Sequence, residues 1–186
     1  MEGIHITGAS GSGVTTLGGA LAVRLGRVHL DTDSFYWLPS DPPFRDRRPL
    51  IERMEMIERA FAGADRSWVL SGSLDGWGDP FIPRFGLVVF IYTPPEARMM
   101  RLLARERERY GAAIEPGGVM YAQHREFAAW AEGYDGGARP GRSLPRHEAW
   151  LASLTCPVLR LDGLQPINAL VQTVIAAVPA SSNPAR

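Results

Sequence analysis

Lysine is missing from this chain altogether: its twenty basic side chains are all arginine, set against twenty acids, so the formal net charge is zero. With the charges balanced, nothing in the bulk electrostatics points to nucleic acid or to an anionic membrane as partner, and any attraction for phosphate has to be local. Cysteine is nearly absent too. The lone Cys156 lies in the apolar run Cys156-Pro157-Val158-Leu159, cannot close an intrachain disulfide, and reads as a core thiol. No apolar run approaches the ~18 residues of a transmembrane helix, and the first expected strand begins at Gly3, which leaves no room for a leader peptide. These absences point to a reducing, cytoplasmic setting.

What is present is an ordinary globular composition, 45% hydrophobic and 22% charged over 186 residues, enough for one domain with a substantial core. Short apolar runs alternate with helical patterns, which argues for an α/β fold with a parallel sheet. Strands are expected at 3–7, 28–30, 68–70, 87–92 and 157–161. Helices are expected from Gly13, where Leu17, Leu21 and Leu25 form one stripe, and over 50–62, from Pro95 to Tyr110, and over 166–178. Between 111 and 144 the pattern loosens around Gly117-Gly118, Gly136-Gly137 and Gly141, with a short helix near 119–131. A single domain over 1–178 and a frayed tail at 179–186 follow.

The chemistry concentrates in Gly8-Ala9-Ser10-Gly11-Ser12-Gly13-Val14-Thr15-Thr16, directly after Ile4-His5-Ile6. It reads as the phosphate-binding P-loop G-x-x-x-x-G-K-[ST], with valine where lysine belongs. A glycine-rich turn between a strand and a helix aims backbone N–H groups and the helix dipole at an anion without any side-chain charge. Gly8, Ser10, Gly11, Ser12, Gly13, Val14, Thr15 and Thr16 are therefore the candidate phosphate cradle, and Thr15 stands where the motif's hydroxyl ligates Mg²⁺. Asp31 follows at about the distance of a ribose-binding acid, but the spacing G-x-x-G-x-G does not fit a dinucleotide fingerprint. Losing one preorganised cationic donor of this kind costs roughly 2.7–4 kcal/mol, or about 10²–10³ in rate. Binding suffers less, because the backbone donors remain.

The loop, then Leu30-Asp31-Thr32-Asp33-Ser34-Phe35-Tyr36, then Ile91-Tyr92-Thr93-Pro94-Pro95-Glu96 leading into an arginine-rich helix, resembles the nucleoside monophosphate kinase group. Within it the chain looks most like adenylate kinase-related proteins of the topology-modulation type, with echoes of cytidylate and shikimate kinases. The resemblance covers 3–110 and 156–178; the segment between matches only in position, where these kinases carry a mobile lid, here about 111–147. It implies a three-layer P-loop kinase-like fold, a five-stranded parallel sheet in the order 2-3-1-4-5 with helices on both faces, and a helical lid. It also implies ATP with Mg²⁺ as donor of a γ-phosphoryl group to a nucleotide or other small-molecule acceptor.

The same resemblance assigns Asp31, with Thr15, to the metal side and Asp33 to the acceptor; the alternative is that the two acids cap the turn that follows. Arg98, Arg101, Arg105 and Arg109 share one helical face at i+3 and i+4 spacing. Like charges so placed are destabilising by a few tenths of a kcal/mol, which anion contact would explain and which Glu106 and Glu108 would also offset. Arg101 and Arg105 are the catalytic candidates here, and Arg105 and Arg109 the nucleotide contacts. In the lid, among Arg125, Arg139, Arg142 and Arg146, Arg142 is taken as catalytic, while His124 and His147 read as ordinary surface or lid residues. Arg45, Arg47 and Arg48 either clamp an anionic acceptor or are solvated. Phe35, Tyr36 and Trp37 either wall a flat substrate or pack in the core. Ser71-Gly72-Ser73 is expected beside the P-loop. Two classes of function stay open: a kinase whose arginines cover for the missing lysine, and a nucleotide-binding sensor with little transfer activity.

Overall fold

Alternation of side chains along each strand puts two apolar faces on one sheet, and the fold follows from covering both. The computed structural model describes residues 3–65, 67–137 and 139–178, so the expected tail at 179–186 lies outside the described residues. The strands β1 (Gly3–Gly8), β2 (Val28–Asp31), β3 (Trp68–Ser71), β4 (Phe85–Tyr92) and β5 (Val158–Asp162) form one five-stranded sheet in the order β2-β3-β1-β4-β5. Every neighbouring pair is parallel. β1 is central and buried along its whole length, as parallel strands covered on both faces are.

Ile4 and Ile6, Val69, and Leu87, Val89 and Ile91 point to one face, where α1 (Val14–Leu25) and α7 (Ile167–Ala177) bring Leu17, Leu21, Leu170, Val171 and Val174. Trp68 and Leu70, and Val88 and Phe90, point to the other, packed under α3 (Leu50–Gly63) and α6 (Leu144–Ala152) through Ile57, Phe61 and Leu151. Trp68 stacks on Phe61 at a centroid distance of 3.9 Å. Cys156 is half-buried against this second cluster. Among the described residues no helix is long and apolar enough to cross a membrane.

Several short elements depart from the sequence expectation. Residues after β2 form a helical turn, α2 (Thr32–Tyr36), because Asp31 caps it by accepting the Asp33 N–H at 2.9 Å. A 3-10 turn at Asp79–Arg84 tucks Phe81 into the core. The loosened stretch holds the expected short helix, α5 (Tyr121–Glu132), and adds a 3-10 turn at Gly111–Ile114 directly after α4 (Pro95–Tyr110) and the start of α6 at Leu144. These are short elements whose glycine- and proline-rich borders hide their periodicity.

Candidate functional site

All five strands end at the same carboxyl edge of the sheet, where open α/β folds bind ligands. The centre is the loop from β1 to α1. Gly13 caps α1 at φ 96° with no side-chain cap, so the first N–H groups of the helix face the loop's concavity rather than a side chain. Gly11 has φ 82°, and a Cβ there would lie 2.2 Å from the Arg98 carbonyl oxygen, so only glycine lets the loop seat on the start of α4. Ser12 braces the turn internally, its hydroxyl donating to the Ala9 carbonyl at 2.7 Å, and Thr93 Oγ1 donates to the Ser12 carbonyl at 3.3 Å. Val14 turns inward and joins the α1 core, 9% exposed, while Thr15 and Thr16 are exposed.

At the β2 end, Thr15 Oγ1 donates to Asp31 Oδ2 at 3.1 Å. A hydroxyl and a carboxylate thus meet at the mouth of the loop, the pair the sequence assigned to a metal. Two residues on, Asp33 reaches solvent, with protein around its carboxylate. That enclosure raises its pKa, and the Asp31 carboxylate pushes the same way; Arg142, the Trp37 indole and Arg105 oppose them.

Arg142 enters from the opposite side, just ahead of α6, and its Nη2 donates to Ser10 Oγ at 2.7 Å. Its guanidinium lies over the Trp130 ring, 5.2 Å from the centroid. Nε is buried and has no hydrogen-bond partner among the described residues. Burial lowers the Arg142 pKa, opposed by the charges of Asp33, Tyr134 and Asp75. An arginine from the expected lid region therefore rests on the phosphate loop, facing Asp33.

The arginines of α4 part company. Arg98 is fully buried with Leu102 and Glu106. Arg101 Nη1 donates to the Gly163 carbonyl at 2.8 Å, tying α4 to the loop after β5. Arg105 donates to Glu106 Oε1 at 2.8 Å and is near enough to Asp33 to influence it. Arg109 is exposed beside Tyr110. One helical face thus holds four different environments.

On the acceptor side, Phe35 belongs to the core, whereas Tyr36 and Trp37 are half-buried and meet edge-on at 4.9 Å. Arg48 is structural, donating to the Phe35 carbonyl at 3.1 Å and the Trp37 carbonyl at 3.2 Å; Arg45 is exposed, and Arg47 lies 5.9 Å from the Tyr36 centroid. Arg53 belongs here too, without a signal in the sequence. Its guanidinium stands 4.1 Å from the Tyr36 centroid and 5.5 Å from that of Trp77, with Nε donating to the Arg48 carbonyl at 2.6 Å. Only its place on the first turns of α3, facing Tyr36, gives it away.

Ser71-Gly72-Ser73 needs a small residue at its centre. A Cβ on Gly72 would lie 1.8 Å from Thr32 Oγ1, so the tight approach is to α2, and Ser71 is taken up by His29 Nε2 at 2.9 Å. Asp75, two residues beyond Ser73, pairs with Arg146 at 3.1 Å. His147 is not a surface residue: it is 1% exposed, bonded through Nδ1 to the Tyr134 hydroxyl at 2.7 Å, and burial holds its pKa down at about 3.

Known proteins bear on both the family and the fold. Over 174 residues, 94% of this chain and 96% of the other, the sequence is 42% identical to YqaC of Bacillus subtilis (strain 168), itself described as uncharacterised. No family model matches the chain. Among solved structures, a shikimate kinase from Bacteroides thetaiotaomicron is 20% identical, with 96% of this chain and 99% of that one covered at a TM-score of 0.52. A sugar kinase from Janibacter sp. HTCC2649 is 18% identical, with 96% of each chain covered and a TM-score of 0.50. At these identities the likeness is one of architecture, and the architecture is the P-loop kinase fold.

Proposed function

We propose, from the premise that the chain belongs to the same protein family as YqaC of Bacillus subtilis, that it is a cytoplasmic phosphotransferase moving the γ-phosphoryl group of ATP to a nucleotide or another small-molecule acceptor. The observation that carries this reading is the 2.7 Å bond from Arg142 to Ser10. The loop lacks its own cation, and a guanidinium from outside the loop stands on it. Arginine fingers act in this way on transferred phosphoryl groups, supplying charge from a separate segment.

Backbone N–H groups of the loop from Ser10 to Thr16, apart from the Ser12 N–H that donates to the Ala9 carbonyl at 3.1 Å, would hold the nucleotide phosphates at the α1 N-terminus. Thr15 and Asp31 fit Mg²⁺, since both offer hard oxygens and Mg²⁺ takes few protein ligands beside water and phosphate. When bound, the ion would screen the charge of the β- and γ-phosphate oxygens. Asp33, whose pKa is raised by enclosure and by Asp31, is suited as a carboxylate to accept a proton from an acceptor hydroxyl. Arg142 would stabilise charge on the transferred group, with Arg105 assisting from α4. Arg101 and Arg109 act more remotely, Arg101 by fixing the loop after β5. The segment 111–147 forms the lid that brings Arg142 in and excludes water.

Calorimetric titration with ATP, with and without Mg²⁺, tests the reading, followed by turnover with acceptors bearing a hydroxyl or phosphate. Saturable binding that tightens with Mg²⁺, and ATP consumption that depends on one acceptor, are the expected results. Absence of binding up to millimolar ATP would sink it.

A further inference from the structure

Arg98 takes no part in the chemistry above, yet its side chain is 0% exposed. A guanidinium so far from water needs several partners. Apart from a long contact to Met99 Sδ at 3.6 Å, they come from one stretch of the lid segment. Nη1 donates to the Ala131 carbonyl at 2.5 Å, Nη2 donates to the Glu132 carbonyl at 3.4 Å and pairs with the Asp135 carboxylate, and the group lies 5.3 Å from the Tyr134 ring centroid. The main chain of the same residue serves the other side of the site: its carbonyl is the surface on which Gly11 seats.

From the Arg98 anchor the segment runs directly to Arg142. The Tyr134 carbonyl accepts the Leu144 N–H at 2.9 Å, its hydroxyl meets His147 at 2.7 Å, and Trp130 Nε1 donates to the Pro140 carbonyl at 3.1 Å. Arg142 sits inside this frame, over the Trp130 ring and on Ser10. An aliphatic side chain at position 98 would pack the helix without the desolvation an ion pair incurs. The ion pair instead fixes where 131–144 stands relative to the loop.

We infer that Arg98 is a positioning residue that joins the P-loop to the segment carrying Arg142, so that the phosphate loop and its borrowed cation hold one geometry. The inference rests on the phosphotransferase reading only for its consequence, which is that substitutions at Arg98 weaken nucleotide handling through Arg142. Misplacement of a catalytic group by about 1 Å is worth about 10²-fold.

A double-mutant cycle on the full chain tests this, with MgATP affinity read by calorimetry and folding checked by thermal melts. Arg98→Met and Arg142→Ala should each weaken binding about tenfold or more, and the double variant should be no weaker than Arg142→Ala alone. Losses that simply add would overturn the inference. Should Arg98→Met fail to fold, Asp135→Asn takes its place in the cycle, since that side chain is 25% exposed. A nucleotide-free arm separates this inference from the functional one. In hydrogen exchange, Arg98→Met should speed both 8–16 and 131–144 while leaving α7 unchanged. Unaltered exchange over 131–144 would overturn the link even if ATP binds; faster exchange in a protein that never binds ATP would retain the link and remove the phosphotransferase reading.

Discussion

Arg142 Nη2 donates to Ser10 Oγ across 2.7 Å, and the two residues are separated by 132 positions of chain. The loop position that carries the cation in the P-loop motif is held by Val14, which packs into the core. The positive charge above the phosphate cradle therefore belongs to a different part of the chain from the cradle itself. That division has consequences for phosphoryl transfer, for pH dependence and for any attempt to restore the missing lysine.

Removing Arg142 should cost more in transfer than in binding. The backbone N–H groups still hold the phosphates in Arg142→Ala, but the charge aimed at the transferred group is lost, so kcat should fall by about 10²–10³. Arg142→Lys should recover part of this, since the charge returns without the planar fork that reaches Ser10. Steady-state kinetics with the acceptor found in the turnover screen measures both; an unchanged kcat in Arg142→Ala would remove Arg142 from the chemistry.

Asp33 should set the acid limb of the pH–rate profile. Its pKa is raised above 3.8 by enclosure and by Asp31, so a step needing the carboxylate declines as pH falls through that raised value. Arg142 opposes the rise, and Arg142→Ala should move the limb to higher pH. The stability sign runs the other way. At neutral pH the ionised Asp33 costs stability, because the folded state holds it less comfortably than the unfolded chain does. Asp33→Asn should therefore raise Tm at pH 7 while abolishing acceptor turnover, and the Tm gain should shrink towards zero below pH 3.8. Melting curves across pH, alongside activity, check both halves.

The sheet was legible because short apolar runs and strand-following turns are local. Ile4-His5-Ile6 and the run from Leu87 to Tyr92 stand out without long-range information, and the order 2-3-1-4-5 came with the P-loop resemblance. The loop and the meeting of Thr15 with Asp31 were likewise readable, since both sit at strand ends whose place in a parallel sheet is fixed. What the sequence hid were relations set by packing over long separations. Arg98, Arg101, Arg105 and Arg109 look equivalent in a helical projection, yet one is buried on Asp135, one serves Gly163, one pairs with Glu106 and one is exposed. Arg53 gave no signal, because its partners Tyr36 and Trp77 come from two other elements. His147 read as a surface or lid residue, and its burial was hidden because its helix, α6, is nine residues long and opens on a proline turn.

Two buried imidazoles should make the fold acid-labile well above the carboxylate range. Burial holds His5 at about 4 and His147 at about 3, against 6.5 for a free imidazole. Between 6.5 and those values the unfolded chain binds protons that the folded one refuses, so stability falls as pH drops. The slope approaches about 1.4 kcal/mol per pH unit for each group. Neither ring has a second partner, since Nε2 of both is buried without one among the described residues. Urea unfolding from pH 7 to pH 4 should show this slope, and His5→Gln should remove about half of it.

Writing lysine back at position 14 should not improve the wild-type protein. Val14 is 9% exposed and part of the core with Leu17 and Leu21, so Val14→Lys loses packing and has to route an ammonium out past Gly8 and Ser12. A stability loss of about 1–3 kcal/mol is expected. If the lysine reaches the cradle, it meets a place already served by Arg142, and two cations over one phosphate add little beyond the first. The informative background is therefore Arg142→Ala. There, Val14→Lys should recover at least tenfold of the lost kcat, because the cradle again has one cation. Recovery in that background with no gain in the wild type would mean that the two residues are alternative sources of the same charge. A large gain in the wild type would mean instead that Arg142 supplies geometry without the charge the loop needs, and that the valine is a defect the rest of the site has not absorbed.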